Sequence, residues 1–410
     1  MPMSESLKQK QVLYLGYVWP EPNSSAAGVR TLAIVRDLSS FGMQVSFAST
    51  SQKNRYSEQL ESMGVQCHSI SANDPTFDEL LKSINPDVVF FDRFVLEEQF
   101  GWRVADVCPK AVRIIDTQDL HFLRRSREAG LDYRESDDML RELASMLRSD
   151  LSLVISRFEL DLLNQKLNIP SNKVSLLGFS YDAIQTQNKF NERKNIVFIG
   201  NFRHPPNYDA VNRLAKEIWP KIYNDLKSQI PAIEIHIYGS YPQKEMMLLD
   251  NPDNGFRVYG PCTDAVSTLS NYKLLIAPLR FGAGIKGKIA DSWLAGTPVV
   301  TTELGAEGMG FDDGSFAGVV AKNPDEFLKA VLSIYNNEMI FNQYQSLGNL
   351  ALNELFSADK NREKLQSLMV SVFDCYEQNR KENWMGKIIM REQMRSTKYL
   401  SKWIEEKSKK

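Results

Sequence analysis

Residues 272–309 read YKLLIAPLRFGAGIKGKIADSWLAGTPVVTTELGAEGM, and the fold of the chain turns on this stretch. The apolar run over 274–277 predicts a buried strand that breaks at Pro278. A glycine-rich loop with two lysines follows: Gly282, Gly284, Lys286, Gly287 and Lys288. A helix is predicted over 289–295, stopped by Gly296, and a second strand over 298–302 completes a β-loop-α-β unit. Backbone amides at a helix start, with lysines beside them, suit a phosphate or diphosphate.

The same alternation runs outward in both directions. Upstream, strands are predicted over 12–17, 45–48, 65–70, 88–91, 111–115, 151–155 and 174–177. Helices are predicted between them over 29–41, 55–63, 76–83, 122–148 and 159–167. The polar, aperiodic segment 182–194 is taken as a linker. Alternation then restarts with strands over 195–199, 233–238 and 257–259 and helices over 210–219 and 264–270, while NFRHPPNYD (201–209) is expected as a loop. Helices over 325–336 and 339–353 follow, and a last helical region runs from 361 to the end. The expected class is α/β, with two Rossmann-like doubly wound domains facing across a cleft. The expected boundaries are 1–182 for a first domain, 183–360 for a second domain that carries the glycine loop, and 361–410 for C-terminal helices with a basic tail.

At 410 residues the chain exceeds the size of a single core, so two domains are the prior. A net charge of -2 offers no electrostatic case for nucleic acid. The charge is uneven, because residues 380–410 carry +6 and leave the rest of the chain near -8. The four cysteines, Cys67, Cys108, Cys262 and Cys375, are widely spaced without a metal pattern, which argues for free thiols in a reducing compartment. The polar start has no signal-peptide core, and no apolar run reaches the ~18 residues that span a bilayer. These features predict a cytoplasmic protein, peripheral at most on the inner face of the cell membrane.

Literally, Gly282 to Gly287 matches G-x-G-x-x-G, with Glu303 at the end of the next strand, so a nicotinamide or flavin enzyme has to be weighed. Three features count against it. Pro278 to Phe281 separate the strand from the first glycine, Lys286 and Lys288 stand where that motif has small or apolar residues, and the unit lies late in the chain.

Five blocks in order, NIVFIGNFRHPPNYDAVNRLAKEIWPKI, IHIYGS, VYGPCTD, APLRFGAGIKGKIADSWLAGTPVVTT and GAEGM, make the pattern specific. They resemble the C-terminal half of a family 4 glycosyltransferase, in the bacterial branch with G-A-G-x-K-G-K in its donor loop. AAGVRTL, DTQDLHFLRRSRE and LSLVISRFELDLL extend the resemblance more loosely into the N-terminal half. It implies the GT-B fold with a C-terminal crossing helix, a nucleotide-diphosphate sugar as co-substrate, and retention at the anomeric carbon. The implied acceptor is a glycan, a lipid-linked or another cell-envelope molecule.

The charge to be stabilised is then the leaving nucleoside diphosphate. A cation fixed at a helix start supplies this, with Lys288 first, Lys286 second, and the amides of Gly284 to Gly287 assisting. The chain contains no D-x-D, so no metal is expected. By resemblance, Asp291 stands where the family has a glutamate on the donor ribose, and Ala283 stands where many relatives have another on the sugar. Arg203 is a candidate for the diphosphate, its alternative being a solvated loop arginine. His204 has a loop-shaping alternative. Pro261 and Cys262 stand where relatives wrap the nucleobase with backbone, and Glu307 either approaches the donor or caps the segment after it. Gly28 lets the first β-α loop approach the ligands closely. In the loop 116–121, Gln118 stands where relatives often have histidine, which leaves Asp119 or His121 to assist the acceptor or sugar. His68 and His236 are expected as packed or surface residues.

The basic tail interleaves Trp384, Ile388, Ile389, Met394, Tyr399, Leu400 and Trp403 with cations. Two readings stand: a helix packed on the first domain, or peripheral contact with an anionic membrane. Besides the enzyme, a catalytically degenerate nucleotide-sugar-binding subunit fits the departures at Ala283, Asp291 and Gln118.

Overall fold

The computed structural model describes residues 5–22, 25–182 and 188–408. Part of the expected linker, 183–187, lies outside the described residues.

The first sheet has seven parallel strands: β1 (Gln11–Gly16), β2 (Gln44–Ser49), β3 (Gln66–Ser69), β4 (Val88–Asp92), β5 (Val112–Asp116), β6 (Leu151–Val154) and β7 (Val174–Leu176). Their order is β3-β2-β1-β4-β5-β6-β7. The second sheet has six: β8 (Lys194–Ile199), β9 (Ile235–Tyr238), β10 (Phe256–Gly260), β11 (Tyr272–Ala277), β12 (Val299–Thr301) and β13 (Val319–Val320). Their order is β10-β9-β8-β11-β12-β13. In both sheets the order reverses beside the first strand, which opens a crevice at the carboxyl ends where ligands of doubly wound sheets bind. Two central strands, VVFFD in β4 and YKLLIA in β11, are buried along their whole length, because helices cover both faces.

Several boundaries differ from the pattern in the sequence. Pro205 and Pro206 do not sit in a loop; they start the helix Pro205–Arg213, since proline lacks the N–H that a first turn leaves unused. That helix continues past a wide turn at Leu214–Ile218 into Trp219–Leu226, with Pro220 restarting it. The tract 122–148 is two helices, His121–Ala129 and Asp137–Arg148, because Gly130 adopts φ +68° and closes the first. The helix Phe94–Val107 has no counterpart in the sequence reading. It begins at Arg93 in a left-handed conformation (φ +76°) with no side-chain cap, so the usual start signal is missing.

Two long helices, Ala358–Glu382 and Trp384–Ser408, return to the first domain. Leu365, Met369 and Val372 join a core built on Val12, Tyr14 and Val88. Arg380 pairs with Asp150 at 2.6 Å and donates to the carbonyls of Pro109 and Ala111. On the last helix Met394 and Ser401 are buried, and Arg103 and Asp106 of the first domain bond Glu405 and Lys398. Of the two readings of the tail, packing is the arrangement in this structure.

Candidate active site

A cavity of about 480 Å³ lies between the two sheets. Its walls come from segments that follow strand carboxyl ends: Ala26 after β1, Arg93 after β4, Gln118 to His121 after β5, Gly200 after β8, Gly239 after β9, Cys262 after β10 and Phe281 to Asp291 after β11. Asp119, His121, Lys286, Gly287, Lys288 and Asp291 are therefore brought to one cavity.

On the C-terminal wall the helix Gly287–Leu294 starts without a side-chain cap, and Gly287 faces the cavity. Lys288, in its first turn, hydrogen-bonds the Asn207 side-chain oxygen, and its ammonium lies 4.1 Å from the centre of the Phe198 ring. Among the described residues neither Lys286 nor Lys288 forms an ion pair. Enclosure pulls the Lys288 ammonium down to about 7, against the opposing pull of Asp291. Asp291, three residues on and so on the same helix face, accepts a hydrogen bond from Tyr181 Oη at 3.1 Å. Burial pushes its carboxyl up to about 7, although the Tyr181 bond opposes this. Lys286 is buried and donates from Nζ to Gly284 O at 2.5 Å, so its ammonium shapes the loop; burial lowers it to about 8.

The N-terminal wall is held differently. Asp116 ends β5 and is fully buried, paired with Arg30 at 2.8 Å, and it also accepts from Tyr14 Oη and Gln118 Nε2. Gln118, at φ +63°, is thereby turned toward Thr31 and Asp116. Two buried carboxylates hold the next residues by their backbone. Glu159 accepts from the amides of Leu120 and Ile155, and Glu142 from those of His121 and Phe122. Burial would raise Asp119, but Arg124 at 2.7 Å and His121 at 3.2 Å outweigh it and lower its pKa. Burial pulls His121 down to about 4, so its imidazole is neutral near pH 7. A neutral ring that gives its Nε2 proton to Asp119 leaves Nδ1 as a buried acceptor, and that atom has no hydrogen-bond partner among the described residues.

Of the remaining sequence candidates, Arg203, Glu307, Pro261, Gly28 and Gly284 lie outside the cavity lining. Arg203 is exposed and stacks 4.0 Å from the Tyr241 ring. Glu307 forms an ion pair with Arg127, and Pro261 is exposed beside the lining residue Cys262. The Gly28 amide donates to Ser25 Oγ at 3.0 Å, while Ala26, Ala27 and Val29 line the cavity around it. Gly284 lies against Ile155 and Asp119, where a Cβ would come within 2.7 Å of Ile155. His204 does line the cavity, with its side chain open to solvent there. His68 and His236 lie in β3 and β9, away from the site. Sequence reasoning missed Tyr181, Asn207, Arg93 and Arg127. Asn207 alone had a signal, since a Pro-Pro pair opening a helix places the next residue in its first turn.

Residues 193–337 match the family model described as glycosyl transferases group 1. A protein from the cps region of Klebsiella pneumoniae, described as an uncharacterized 44.6 kDa protein, is 24% identical over 210 residues, covering 48% of this chain and 51% of the relative. The chain thus spans about half the length of the curated relative it matches. Among solved structures, HepE of Anabaena in complex with UDP and glucose superposes with a TM-score of 0.68 at 10% identity, over 88% of this chain and 100% of that one. TarM of S. aureus, in complex with fondaparinux, alpha-GlcNAc-glycerol and UDP, gives 0.66 at 10% identity, over 88% and 99%. A glycosyltransferase from Rickettsia africae gives 0.64 at 12% identity, over 89% and 98%. The structural likeness shows the GT-B fold, and the family match supports glycosyltransferase function.

Proposed function

We propose that the chain transfers a sugar from a nucleoside-diphosphate donor on the C-terminal wall to an acceptor on the N-terminal wall, as a family 4 glycosyltransferase of the G-A-G-x-K-G-K branch. The observation that carries this reading is Lys288, an ammonium without an ion pair at the start of an uncapped helix in the cleft. A leaving diphosphate supplies the missing anion, and the enclosed cation stabilises it more strongly than it would in water. Asp291, one turn on, suits the ribose diol, with Tyr181 fixing its carboxyl. In this reading the donor's C1–O bond to phosphate breaks and a C1–O bond to the acceptor hydroxyl forms on the same face, giving retention. The acceptor proton passes to the departing phosphate. Asp119, kept ionised, orients the acceptor or sugar, and neutral His121 is its partner. Lys288 and the helix start supply the counter-charge themselves, so the proposal needs no metal ion, and turnover insensitive to EDTA is expected.

The test is a panel of nucleotide sugars, with diphosphate release measured with and without glycan and lipid-linked acceptors. Release with at least one donor, abolished by Lys288→Ala, supports the reading; undiminished release in that variant removes the site. Binding without release on every acceptor would favour the degenerate subunit. A membrane-borne acceptor has one specific support. The last helix turns Trp384, Met385, Ile388, Tyr399, Leu400 and Trp403 to solvent on the face opposite its buried Met394 and Ser401. Aromatic and aliphatic groups among lysines and arginines suit an anionic lipid surface. Co-sedimentation with phosphatidylglycerol vesicles but not phosphatidylcholine vesicles is the expected outcome.

A further inference from the structure

We propose that Arg127 is a positioning residue that couples closure of the two domains to the shape of the glycine loop. The inference rests on the donor-site reading given above. Arg127 stands in the last turn of His121–Ala129, in the first domain. Its two terminal nitrogens donate in parallel to the Glu307 carboxylate, NH1 to Oε1 at 2.7 Å and NH2 to Oε2 at 2.8 Å. NH1 also donates to Gly282 O at 2.8 Å, and the guanidinium lies 5.5 Å from the centre of the Phe158 ring. One side chain from the first domain thus grips the residue that opens the glycine loop and an acid in the loop beyond β12. A bidentate arginine-carboxylate pair is strong and demands one relative orientation of its partners, which a single lysine would not.

The sterics of the same surface point the same way. A Cβ on Gly284 would lie 2.7 Å from Ile155 Cδ1, one on Gly308 2.8 Å from Ser156 Cβ, and one on Gly287 2.7 Å from Ala26 Cβ. Ile155, Ser156 and Ala26 all belong to the first domain, so three glycines of the second lie directly on it. Gly284 and Gly308 also have φ of +64° and +74°, which other residues adopt at a cost. The glycine loop is therefore seated against the opposite domain, and Arg127 ties down both sides of the seat. On the far rim the Tyr241 hydroxyl donates to Glu21 at 2.8 Å, but that contact is exposed and single.

Glu307 is also the acid that bears most strongly on Lys286. With both carboxylate oxygens engaged by Arg127, the Lys286 ammonium remains on Gly284 O and holds the loop in its cavity-lining form. When the domains part, Arg127 leaves with the first of them. Glu307 and Gly282 O then lose the guanidinium that joins them, and the loop loses its fixed shape. Donor release and loop loosening become one event.

Two measurements test this. Small-angle scattering of the full chain without ligand should show a larger radius of gyration for Arg127→Glu, restored to the wild-type value by Arg127→Glu combined with Glu307→Arg. Lys288→Met should scatter like wild type, which separates the clasp from the diphosphate site. In turnover, Arg127→Ala should lower kcat by roughly 10- to 100-fold while the donor KM changes less than about threefold, and Arg127→Lys should recover little because the fork is lost. The charge-swapped pair should recover most of kcat. Unchanged scattering in Arg127→Glu, or a swapped pair no better than the single variant, would overturn the proposal. The scattering arm decides the clasp even where no nucleotide binds, and loss of nucleotide binding with intact scattering changes would count against the donor site alone.

Discussion

The two walls of the cleft are built on opposite electrostatic plans. On the N-terminal wall the charges meet counterparts inside the protein, Arg30 with Asp116 and Arg124 with Asp119, and the neutral His121 ring faces Asp119 as well. Backbone amides there are satisfied by buried Glu142 and Glu159. On the C-terminal wall Lys288 bonds a neutral amide and lies over an aromatic ring, and Lys286 bonds a carbonyl; among the described residues neither forms an ion pair, although Asp291 and Glu307 bear on them from farther away. Enclosure accordingly pulls the Lys288 ammonium to about 7. A wall that has already satisfied its charges presents a fixed shape; one that has not presents an unmet demand for an anion. The difference supports the proposed function, in which the second domain recognises a phosphate-bearing donor and the first positions its reaction partner.

The largest effect should come from removing the unmet charge. Lys288→Met is expected to weaken nucleoside-diphosphate binding by roughly 10²–10³-fold, while Tm holds or rises because an enclosed ammonium without an ion pair destabilises the empty protein. Equal affinity in calorimetry would erase the contrast between the walls. On the other side, Asp119→Asn should cost about 10²-fold in kcat while diphosphate affinity stays within about twofold. A parallel loss of affinity would place Asp119 on the donor instead.

The pH dependence of binding sharpens the same contrast. Lys288 in the empty site loses its proton near 7, and a bound diphosphate restores it. Affinity is therefore highest below about 7 and falls as pH rises, by up to about tenfold per unit, with proton uptake visible as a dependence of binding enthalpy on buffer. Asp291 ionises over the same range, but its protonated form still donates to a ribose hydroxyl, so it moves affinity less.

The smallest effect concerns the buried acids behind the N-terminal wall. Burial raises Glu159 from its ordinary 4.5 to about 7, so its contribution to stability is full below about 4.5 and is lost as pH rises through about 7. The loss is on the order of 3 kcal/mol. Glu159→Gln should flatten the slope of Tm against pH between 5 and 7, whatever it does to Tm at one pH. An unchanged slope would mean that Glu159 is not the group that titrates.

The same contrast explains what could be read from the sequence. The C-terminal wall is nearly contiguous: a strand, a glycine loop and a helix start within 272–291, so Lys288 stood out at the helix start, and Asp291 stood out through the family resemblance of the same stretch. The N-terminal wall is assembled from β1, β4, β5 and β6 and from acids far along the chain, and nothing in the local pattern near 142 or 159 announces a carboxylate that holds the 118–122 loop. Tyr181 and Arg127 were hidden for the same reason, since each acts on a residue more than a hundred positions away. Strand positions were legible because buried parallel strands read as short apolar runs, whereas Phe94–Val107 was lost because its start carries no cap. From its place in GAEGM, Glu307 stood open between a donor contact and a cap on the following segment, and only the three-dimensional approach of Arg127 reveals its partner.

The central claim is that the cleft holds a nucleoside diphosphate through the C-terminal wall. Its most direct test is isothermal titration of the wild type and Lys288→Met with UDP, GDP, ADP and CDP. The account predicts saturable one-to-one binding of at least one of them to the wild type, with proton uptake above about pH 7, and its loss in the variant. No binding of any of the four, or binding that survives Lys288→Met unchanged, would contradict it.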